Sequence, residues 1–290
     1  MQAWGPSDSR DYIVAFELHS PDECPRDIHL PSAVAGFDTG LFLPRDDPDW
    51  FGRSSFPPRV LLLKGSVLYI VSHPSAGKAP AEYAIEQISS LESGHMLLKG
   101  WLRFTGSGID HTVRYNTRGF RSVVGFMQRF RKKFLDDAGP NSVPEVCFGA
   151  GPDIKFGNAL TREVDLGEKA TAQFFQPPKE LKSNRWLIRR RRWLPGDLLV
   201  LTGRRLMWIT DRDRGSCARY GSIVSYTPLR MVRTVELASG PTGNTLRVEL
   251  PGDYCWRIPI ASSSRQQADD FAAYTANFVM ASIRNSENLT

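Results

Sequence analysis

Two hairpin-like patterns of apolar residues occur along the chain. Arg59–Leu63 and Val67–Ser72 flank the turn Lys64-Gly65-Ser66, and β-rich runs of this length beside a Gly-containing turn predict a β-hairpin. Leu198–Leu201 and Leu206–Thr210 predict a second hairpin in the same way. Further strand-like runs follow each hairpin: Tyr83–Leu91, Leu97–Thr105 and Asp110–Asn116 after the first, and Ala218–Tyr226, Met231–Leu237, Thr245–Leu250 and Tyr254–Ile260 after the second.

A helical pattern closes each set of strands. Between Phe120 and Phe134 the apolar residues recur at steps of three and four, which places them on one face of a helix. Asn116 or Thr117, both good N-cap types, marks the start of this helix. In the second set, Ser262-Ser263-Ser264 precedes a similar apolar stripe. We therefore expect two antiparallel meanders, each closed by an amphipathic helix.

The two sets of elements are related by an internal repeat. Leu61-Leu62-Leu63-Lys64-Gly65 matches Leu199-Val200-Leu201-Thr202-Gly203. Leu102-Arg103-Phe104 matches Leu246-Arg247-Val248 at almost the same offset along the chain. Because the offset is nearly constant over several apolar blocks, we interpret the chain as a duplication. Only two copies occur, which excludes a solenoid.

Proline and glycine mark the expected domain boundaries, above all in Gly139-Pro140-Asn141-Ser142-Val143-Pro144. The sequence predicts an amino-terminal extension at 1–54 with a long Pro- and Asp-rich insertion that forms part of domain 1, a first domain at 55–138, a linker at 139–162, a second domain at 163–283 and a tail at 284–290.

The segment Gly196–Thr210, with the sequence GDLLVLTGRRLMWIT, resembles a hairpin common in bacterial pleckstrin-homology-like (PH-like) and GRAM-like domains. Copy one departs from this pattern, with Lys64 in place of the Thr and Val67 in place of the second Arg. The resemblance covers roughly 55–138 and 165–282. It implies a mainly β fold with α-helices, made of two PH-like domains. Each would be a bent antiparallel sheet or partly open barrel closed by a carboxy-terminal amphipathic helix.

Composition and charge exclude some classes of protein and show where the basic residues cluster. The apolar fraction of 41% excludes a mainly disordered chain, and the four scattered cysteines favour free thiols over disulfides or a zinc site. The net charge of +6 is unevenly distributed: residues 1–58 carry ten acids and four bases, Arg118–Lys133 six bases and no acid, and Lys179–Tyr220 twelve bases and four acids. Such clusters can attract phosphates of lipids or nucleic acids, or can form a solvated surface.

The sharpest chemical feature is Arg189-Arg190-Arg191-Arg192, flanked by Trp186 and Trp193, which are core residues or membrane-interface anchors. Lys179 followed by Arg189-x-Arg191 resembles the basic signature by which some PH domains bind inositol phosphates. The predicted anion ligands are Lys179, Lys182, Arg189, Arg191, Arg204 and Arg205. The alternative is that these arginines pair with amino-terminal acids and hold the protein together. The basic helix Arg118–Lys133 is a second basic surface, although its apolar stripe is needed for the core.

No nucleotide-binding, esterase or metalloprotease motif is visible, and the scattered histidines lack metal-ligand spacing. Asp46, Asp47 and Asp49 are better explained as a solvated loop than as a cation site. We therefore predict a non-enzymatic binding or scaffolding protein without cofactor or metal. It would bind a protein partner or an anionic, phosphate-bearing ligand or membrane surface. The rivals are an enzyme with its site in the amino-terminal insertion and nucleic-acid binding through the basic segments, the latter disfavoured because no recognition motif is present.

The chain lacks the basic and apolar regions of a signal peptide at its amino terminus, and its longest apolar stretch, Val60–Val71, is too short to span a bilayer. We therefore expect no transmembrane segment. The expected location is the cytoplasm, including a peripheral position at the inner face of the membrane.

Overall fold

A computed structural model describes residues 8–9, 12–45, 56–73, 79–96, 99–135, 146–164, 168–181, 192–211, 221–241 and 243–287. In the first half, the strands are β1 Phe16–Leu18, β2 Thr39–Leu43, β3 Arg59–Lys64, β4 Val67–Ser72, β5 Ala81–Ala84, β6 Ile88–Met96, β7 Lys99–Gly106 and β8 Ile109–Asn116, followed by helix α1 Phe120–Phe134. The prediction of a mainly β chain with a few helices is confirmed.

The second half begins with a short strand and a helix before its meander. Its elements are β9 Val146–Phe148, α2 Ile154–Glu163, β10 Ala170–Gln176, β11 Lys179–Leu181, β12 Arg192–Leu194, β13 Asp197–Thr202, β14 Arg205–Thr210, β15 Gly221–Pro228, β16 Thr234–Gly240, β17 Gly243–Glu249, β18 Cys255–Ile260 and helix α3 Arg265–Glu287. Backbone contacts divide the chain into two compact units. The first comprises Met1–Ile88, Leu97–Arg103 and His111–Phe134, and the second Ser89–Met96, Phe104–Asp110 and Leu135–Thr290.

The first unit contains an antiparallel sheet with the strand order β1–β2–β3–β4–β5. Strands β2, β3 and β4 supply most of its buried residues, because all five residues of β2 and the central four of both β3 and β4 are buried. The turn between β3 and β4 needs Gly65, whose φ of 56° lies in the left-handed region. The carboxylate of Asp38 accepts a hydrogen bond from the Gly65 amide at 3.0 Å and so fixes this turn.

Helix α1 covers part of this sheet through one apolar face. It contacts β1 and β2, and its buried apolar residues are Val123, Phe126, Met127, Phe130 and Phe134. The side chain of Asn116 accepts a hydrogen bond from the Arg118 amide at 2.9 Å, which caps the short 3-10 turn leading into the helix. Burying each large side chain of this face contributes about 1.5–3 kcal/mol, so the stripe is committed to the core.

The second unit contains a sheet in which β6, β15, β14, β13, β10 and β9 follow one another. Neighbours are antiparallel except for β9 and β10, which are parallel. Strands β16, β17 and β18 form a separate antiparallel sheet. Helix α3 packs on both sheets, contacting β9, β10, β16 and β17. Phe271 of α3 is fully buried in a core with Phe174 and Trp256. The prediction that a carboxy-terminal helix packs on open, antiparallel-rich sheets is confirmed.

The order of elements occurs twice along the chain. In both halves a hairpin and a third strand lead through a 3-10 turn to three further strands, a second 3-10 turn and a helix. Strands β3 and β13 begin at Arg59 and Asp197, and helices α1 and α3 begin at Phe120 and Arg265. These two separations along the chain are nearly equal. The observed elements therefore repeat with nearly the offsets at which the sequence blocks match.

Some elements differ from those expected from the sequence. The run Tyr83–Leu91 is not one strand, because the 3-10 turn Ile85–Gln87 separates β5 from β6. Strand β2 lies inside the segment interpreted as an insertion, and β9 and all of α2 except its last residue lie inside the segment interpreted as a linker. Helix α2 begins at a good N-cap, since the Asp153 side chain accepts a hydrogen bond from the Phe156 amide at 3.0 Å.

Two glycines of the second unit provide a test of the turn geometry. Gly108 and Gly252 both have positive φ, at 72° and 76°. A Cβ at Gly108 would meet nothing within 4 Å, whereas one at Gly252 would approach the Ser107 Cα to 2.7 Å. Gly108→Ala should lower the free energy of unfolding by about 1–2 kcal/mol through backbone strain alone. Gly252→Ala should lower it by clearly more, because backbone must also move.

Urea denaturation of the two variants, followed by tryptophan fluorescence, measures this difference. Equal destabilisation of Gly108→Ala and Gly252→Ala would contradict the close approach of Gly252 to the β7–β8 turn.

Candidate functional site

The structure describes the side chains of three of the six predicted anion ligands. Lys179 is the first residue of β11, Arg204 lies in the turn between β13 and β14, and Arg205 is the first residue of β14. Lys179 and Arg204 are exposed, whereas Arg205 is completely buried. Lys182, Arg189 and Arg191 lie outside the described residues.

Lys179 and Arg204 lie near opposite ends of β13. In the pairing of β10 with β13, Gln176 is opposite Asp197 and Ala170 is opposite Thr202. Lys179 follows Gln176 closely, whereas Arg204 follows Thr202. At roughly 3.3 Å per residue, the strand between Asp197 and Thr202 alone spans about 17 Å. Arg204 and Arg205 therefore do not gather around Lys179.

Lys179 belongs instead to a small hairpin with a strongly basic connection. Strands β11 and β12 form a two-stranded antiparallel sheet in which Lys179 pairs with Leu194 and Leu181 pairs with Arg192. This register closes the connection 182–191 at the Leu181–Arg192 pair. Residues 182–192 carry six basic residues and no acidic one: Lys182, Arg185, Arg189, Arg190, Arg191 and Arg192. The hairpin therefore brings the ends of a highly charged segment together.

Arg205 uses its charge inside the second unit. Its guanidinium forms an ion pair with Glu168 and donates a hydrogen bond from Nη2 to the Glu163 carbonyl oxygen at 3.0 Å. Its Cζ lies 5.5 Å from the centroid of the Tyr226 ring. The hydroxyl of Tyr226 in turn donates to the Glu163 carboxylate. These contacts give Arg205 a structural role in the described chain.

Thr202 connects this buried cluster to the β13–β14 turn. Its hydroxyl donates to Glu168 Oε1 at 2.6 Å. The Thr202 Oγ1 atom also accepts hydrogen bonds from the Arg204 and Arg205 amides at 3.2 and 3.1 Å. In the first half Lys64 stands at the position of Thr202, and its Nζ donates to the Ala33 and Ala35 carbonyls instead. The Thr–Arg pattern therefore builds a turn-stabilising cluster in one half and not in the other.

The basic helix α1 pairs with acids of the amino-terminal region inside the first unit. Arg129 forms an ion pair with Glu17, and Lys133 forms one with Asp38. Lys133 also donates to the Gly65 carbonyl oxygen at 2.8 Å. The hydrogen bond from Lys133, followed by that from the Gly65 amide, holds the pKa of Asp38 below its usual value. Part of the positive charge of α1 thus fastens the helix to the β3–β4 turn and to β1.

The amino-terminal region also contains a shallow groove, which is relevant to the rival enzyme hypothesis. The groove has a volume of about 390 Å³ and is lined by residues of the segment Pro21–Leu30, including Cys24 and His29. Burial, with a smaller effect from Asp27, raises the pKa of the Cys24 thiol to about 12. Because the thiolate is the nucleophile, this cysteine is unreactive at neutral pH.

A serine, an aspartate and a histidine also come together near this segment. The Ser9 hydroxyl donates to Asp27, and His73 Nε2 lies 3.7 Å from the same carboxylate. A serine nucleophile needs its hydroxyl bonded to a base such as histidine, with the carboxylate behind that base. Here the carboxylate lies between the two, and Ser9 is 1% exposed, so the geometry is not that of an activated serine.

Membrane-spanning helices and metal clusters are absent from the described residues. None of their helices is long and apolar enough to cross a membrane. Their His, Cys, Asp and Glu side chains form no group of three or more that could hold a metal ion. Asp46, Asp47 and Asp49 lie outside the described residues.

The buried pair of Arg205 and Glu168 can be tested by a double-mutant cycle. Arg205→Met should lower the free energy of unfolding by about 3–5 kcal/mol, because it leaves the Glu168 carboxylate buried without its partner. Adding Glu168→Gln should recover part of this loss. Arg204→Gln, the exposed neighbour, serves as the control and should change stability by less than about 0.5 kcal/mol.

Chemical denaturation of the wild type, Arg205→Met, Glu168→Gln, the double variant and the control Arg204→Gln measures these differences. If Arg205→Met and Arg204→Gln were equally mild, Arg205 would not be the centre of a buried ion pair.

The sequence matches no protein-family model, and no curated protein matches it. Charge and geometry are therefore the features that indicate a function. Arg205 and two basic residues of α1, Arg129 and Lys133, form ion pairs with carboxylates of the chain. The hairpin of β11 and β12 carries the densest positive charge of the sequence and becomes the candidate binding element.

Proposed function

We propose that the chain is a non-enzymatic binding or scaffolding protein built from two PH-like halves, and that it binds an anionic, phosphate-bearing membrane surface. The binding element is the hairpin formed by β11, β12 and their connection. One observation supports this assignment above the others. The register of β11 with β12 closes a connection that, together with Arg192, carries six basic residues and no acid.

The position of the hairpin also supports a binding role. Strands β11 and β12 pair with one another and with no strand of the larger sheets in the described chain. Lys179 is exposed, and its Nζ lies 3.4 Å from Ser263 Oγ in the turn that precedes α3. A basic hairpin held outside the main sheets can meet a flat surface without disturbing the core.

The sequence of the connection favours lipid over a protein or nucleic-acid surface. Trp186-Leu187-Ile188 stands between Arg185 and Arg189. Basic residues interleaved with Trp and aliphatic residues are typical of segments at the boundary between headgroups and acyl chains. Lys and Arg bind anionic headgroups, and Trp prefers the interface. On this proposal the protein is peripheral to the inner face of the membrane.

Several basic residues outside the hairpin have carboxylate partners inside the chain. Arg129 and Lys133 of α1 are paired with carboxylates, and Arg205 is buried against Glu168. These charges hold elements of the protein together, as the structural alternative for a basic cluster expects. Because these charges already have partners inside the chain, we assign the external anion to the hairpin, whose connection contains no acid.

Binding to vesicles tests the proposal. Arg189→Gln with Arg191→Gln removes two positive charges from the sequence that connects β11 to β12. With phosphatidylcholine vesicles containing phosphatidylserine, the dissociation constant should rise roughly 10- to 30-fold, since each basic residue near an anionic surface contributes about 1 kcal/mol. Vesicle co-sedimentation at fixed salt measures the change.

A matched variant controls for net charge. Lys169→Gln with Arg233→Gln also removes two exposed positive charges of the second unit but lies outside the hairpin. It should bind nearly as well as the wild type. Equal weakening by both double variants would show that only the net charge matters, and a wild type that ignores anionic vesicles would refute the membrane proposal. A wild type that instead binds short nucleic acids through Arg189 and Arg191 would favour the nucleic-acid rival.

A further inference from the structure

Two arginines of the first unit meet at one aromatic ring. Arg59 is the first residue of β3, and Arg114 lies on β8. The Arg114 Cζ is 4.5 Å from the centroid of the Phe56 ring, and the Arg59 Cζ is 6.0 Å from it. Both guanidinium groups therefore lie close to the same ring.

Arg59 has donor capacity that the chain does not use. Its Nη1 donates a hydrogen bond to the Thr112 carbonyl oxygen at 2.9 Å, which fixes the side chain beside β8. Its Nε is buried and has no hydrogen-bond partner. A buried N–H without an acceptor destabilises a fold by about 1–3 kcal/mol, so an acceptor at this point would be favourable.

The electrostatics of the pair are also unbalanced. Arg114 is exposed, and in the described part of the chain neither arginine forms an ion pair with a carboxylate. Burial lowers the pKa of Arg59, and the positive charge of Arg114 lowers it further. Two like charges near one ring, one of them half-buried, would be stabilised by an anion between or beside them.

We propose that Arg59 and Arg114 bind a phosphate group in the first unit, with the Phe56 ring as the wall of the site. A guanidinium presents its N–H donors as a planar fork that matches phosphate oxygens. A phosphate oxygen would accept a hydrogen bond from Arg59, and the dianion would neutralise the repulsion between the two arginines. Phe56 holds both side chains in place through its face.

The site belongs to the first half alone. In the alignment that places Leu61 on Leu199, the position of Arg59 is occupied by Asp197, whose carboxylate accepts a hydrogen bond from Trp208 Nε1 at 2.8 Å. An acid at this position would repel phosphate. The site at Arg59 and Arg114 is therefore independent of the hairpin of β11 and β12, and the proposal for either site can fail without the other.

Thermal unfolding in inorganic phosphate tests the site, with sodium chloride of equal ionic strength as the reference. Phosphate should raise the melting temperature of the wild type beyond the chloride reference, because a ligand that binds only the folded state stabilises it. Arg114→Gln should remove this rise and weaken phosphate binding at least tenfold. Without phosphate, Arg114→Gln should melt no lower than the wild type, because a like-charge repulsion is relieved.

The control is Arg118→Gln, which removes another exposed charge of the same unit and should retain the phosphate effect. Arg114→Lys, which keeps the charge but loses the fork, should bind between the wild type and Arg114→Gln. A phosphate effect of equal size in Arg114→Gln and the wild type would overturn the proposal. So would a wild type that responds neither to phosphate nor to vesicles of phosphatidylcholine with phosphatidic acid.

The same vesicles distinguish the two sources of the phosphate group. Binding to phosphatidic acid that is lost in Arg114→Gln identifies a lipid headgroup as the ligand. A response to free phosphate without vesicle binding identifies a soluble phosphate compound.

Discussion

The burial of one apolar face of each closing helix is the constraint on which the rest of the structure depends. An open antiparallel sheet exposes an apolar surface that must be covered, and α1 and α3 cover it with Phe130 and Phe271 among their buried residues. Because these helix faces are fixed in the cores, they are not free to enter lipid or to bind a partner.

The charges follow the same division between structure and surface. Glu17 and Asp38 come from the acidic amino-terminal region and pair with Arg129 and Lys133 of the basic helix. These contacts neutralise opposite charges that are far apart in sequence and tie α1 to the elements it covers. The connection between β11 and β12, by contrast, contains no acid of its own. The same residue type thus has different roles, determined by its position in the fold.

Local patterns allowed the hairpins and closing helices to be predicted, because alternation, turn glycines and the Asn116 cap all act over a few residues. The fully buried strand β2 was missed because it lacks polar alternation and lies among prolines and aspartates. Helix α2 was missed for a similar reason, since Gly and Pro surround it.

The roles of single arginines were harder to predict. Nothing local distinguishes Arg204, which is exposed, from Arg205, whose partner Glu168 is distant in sequence and adjacent only after folding. The pairing of α1 with amino-terminal acids likewise depends on long-range strand order.

The salt dependence of wild-type binding to phosphatidylserine-containing vesicles tests most directly the proposal that the chain binds an anionic membrane surface. Binding should weaken steadily as sodium chloride is raised, because salt screens exposed charges. Binding that is absent at low salt, or unchanged across the series, would contradict it.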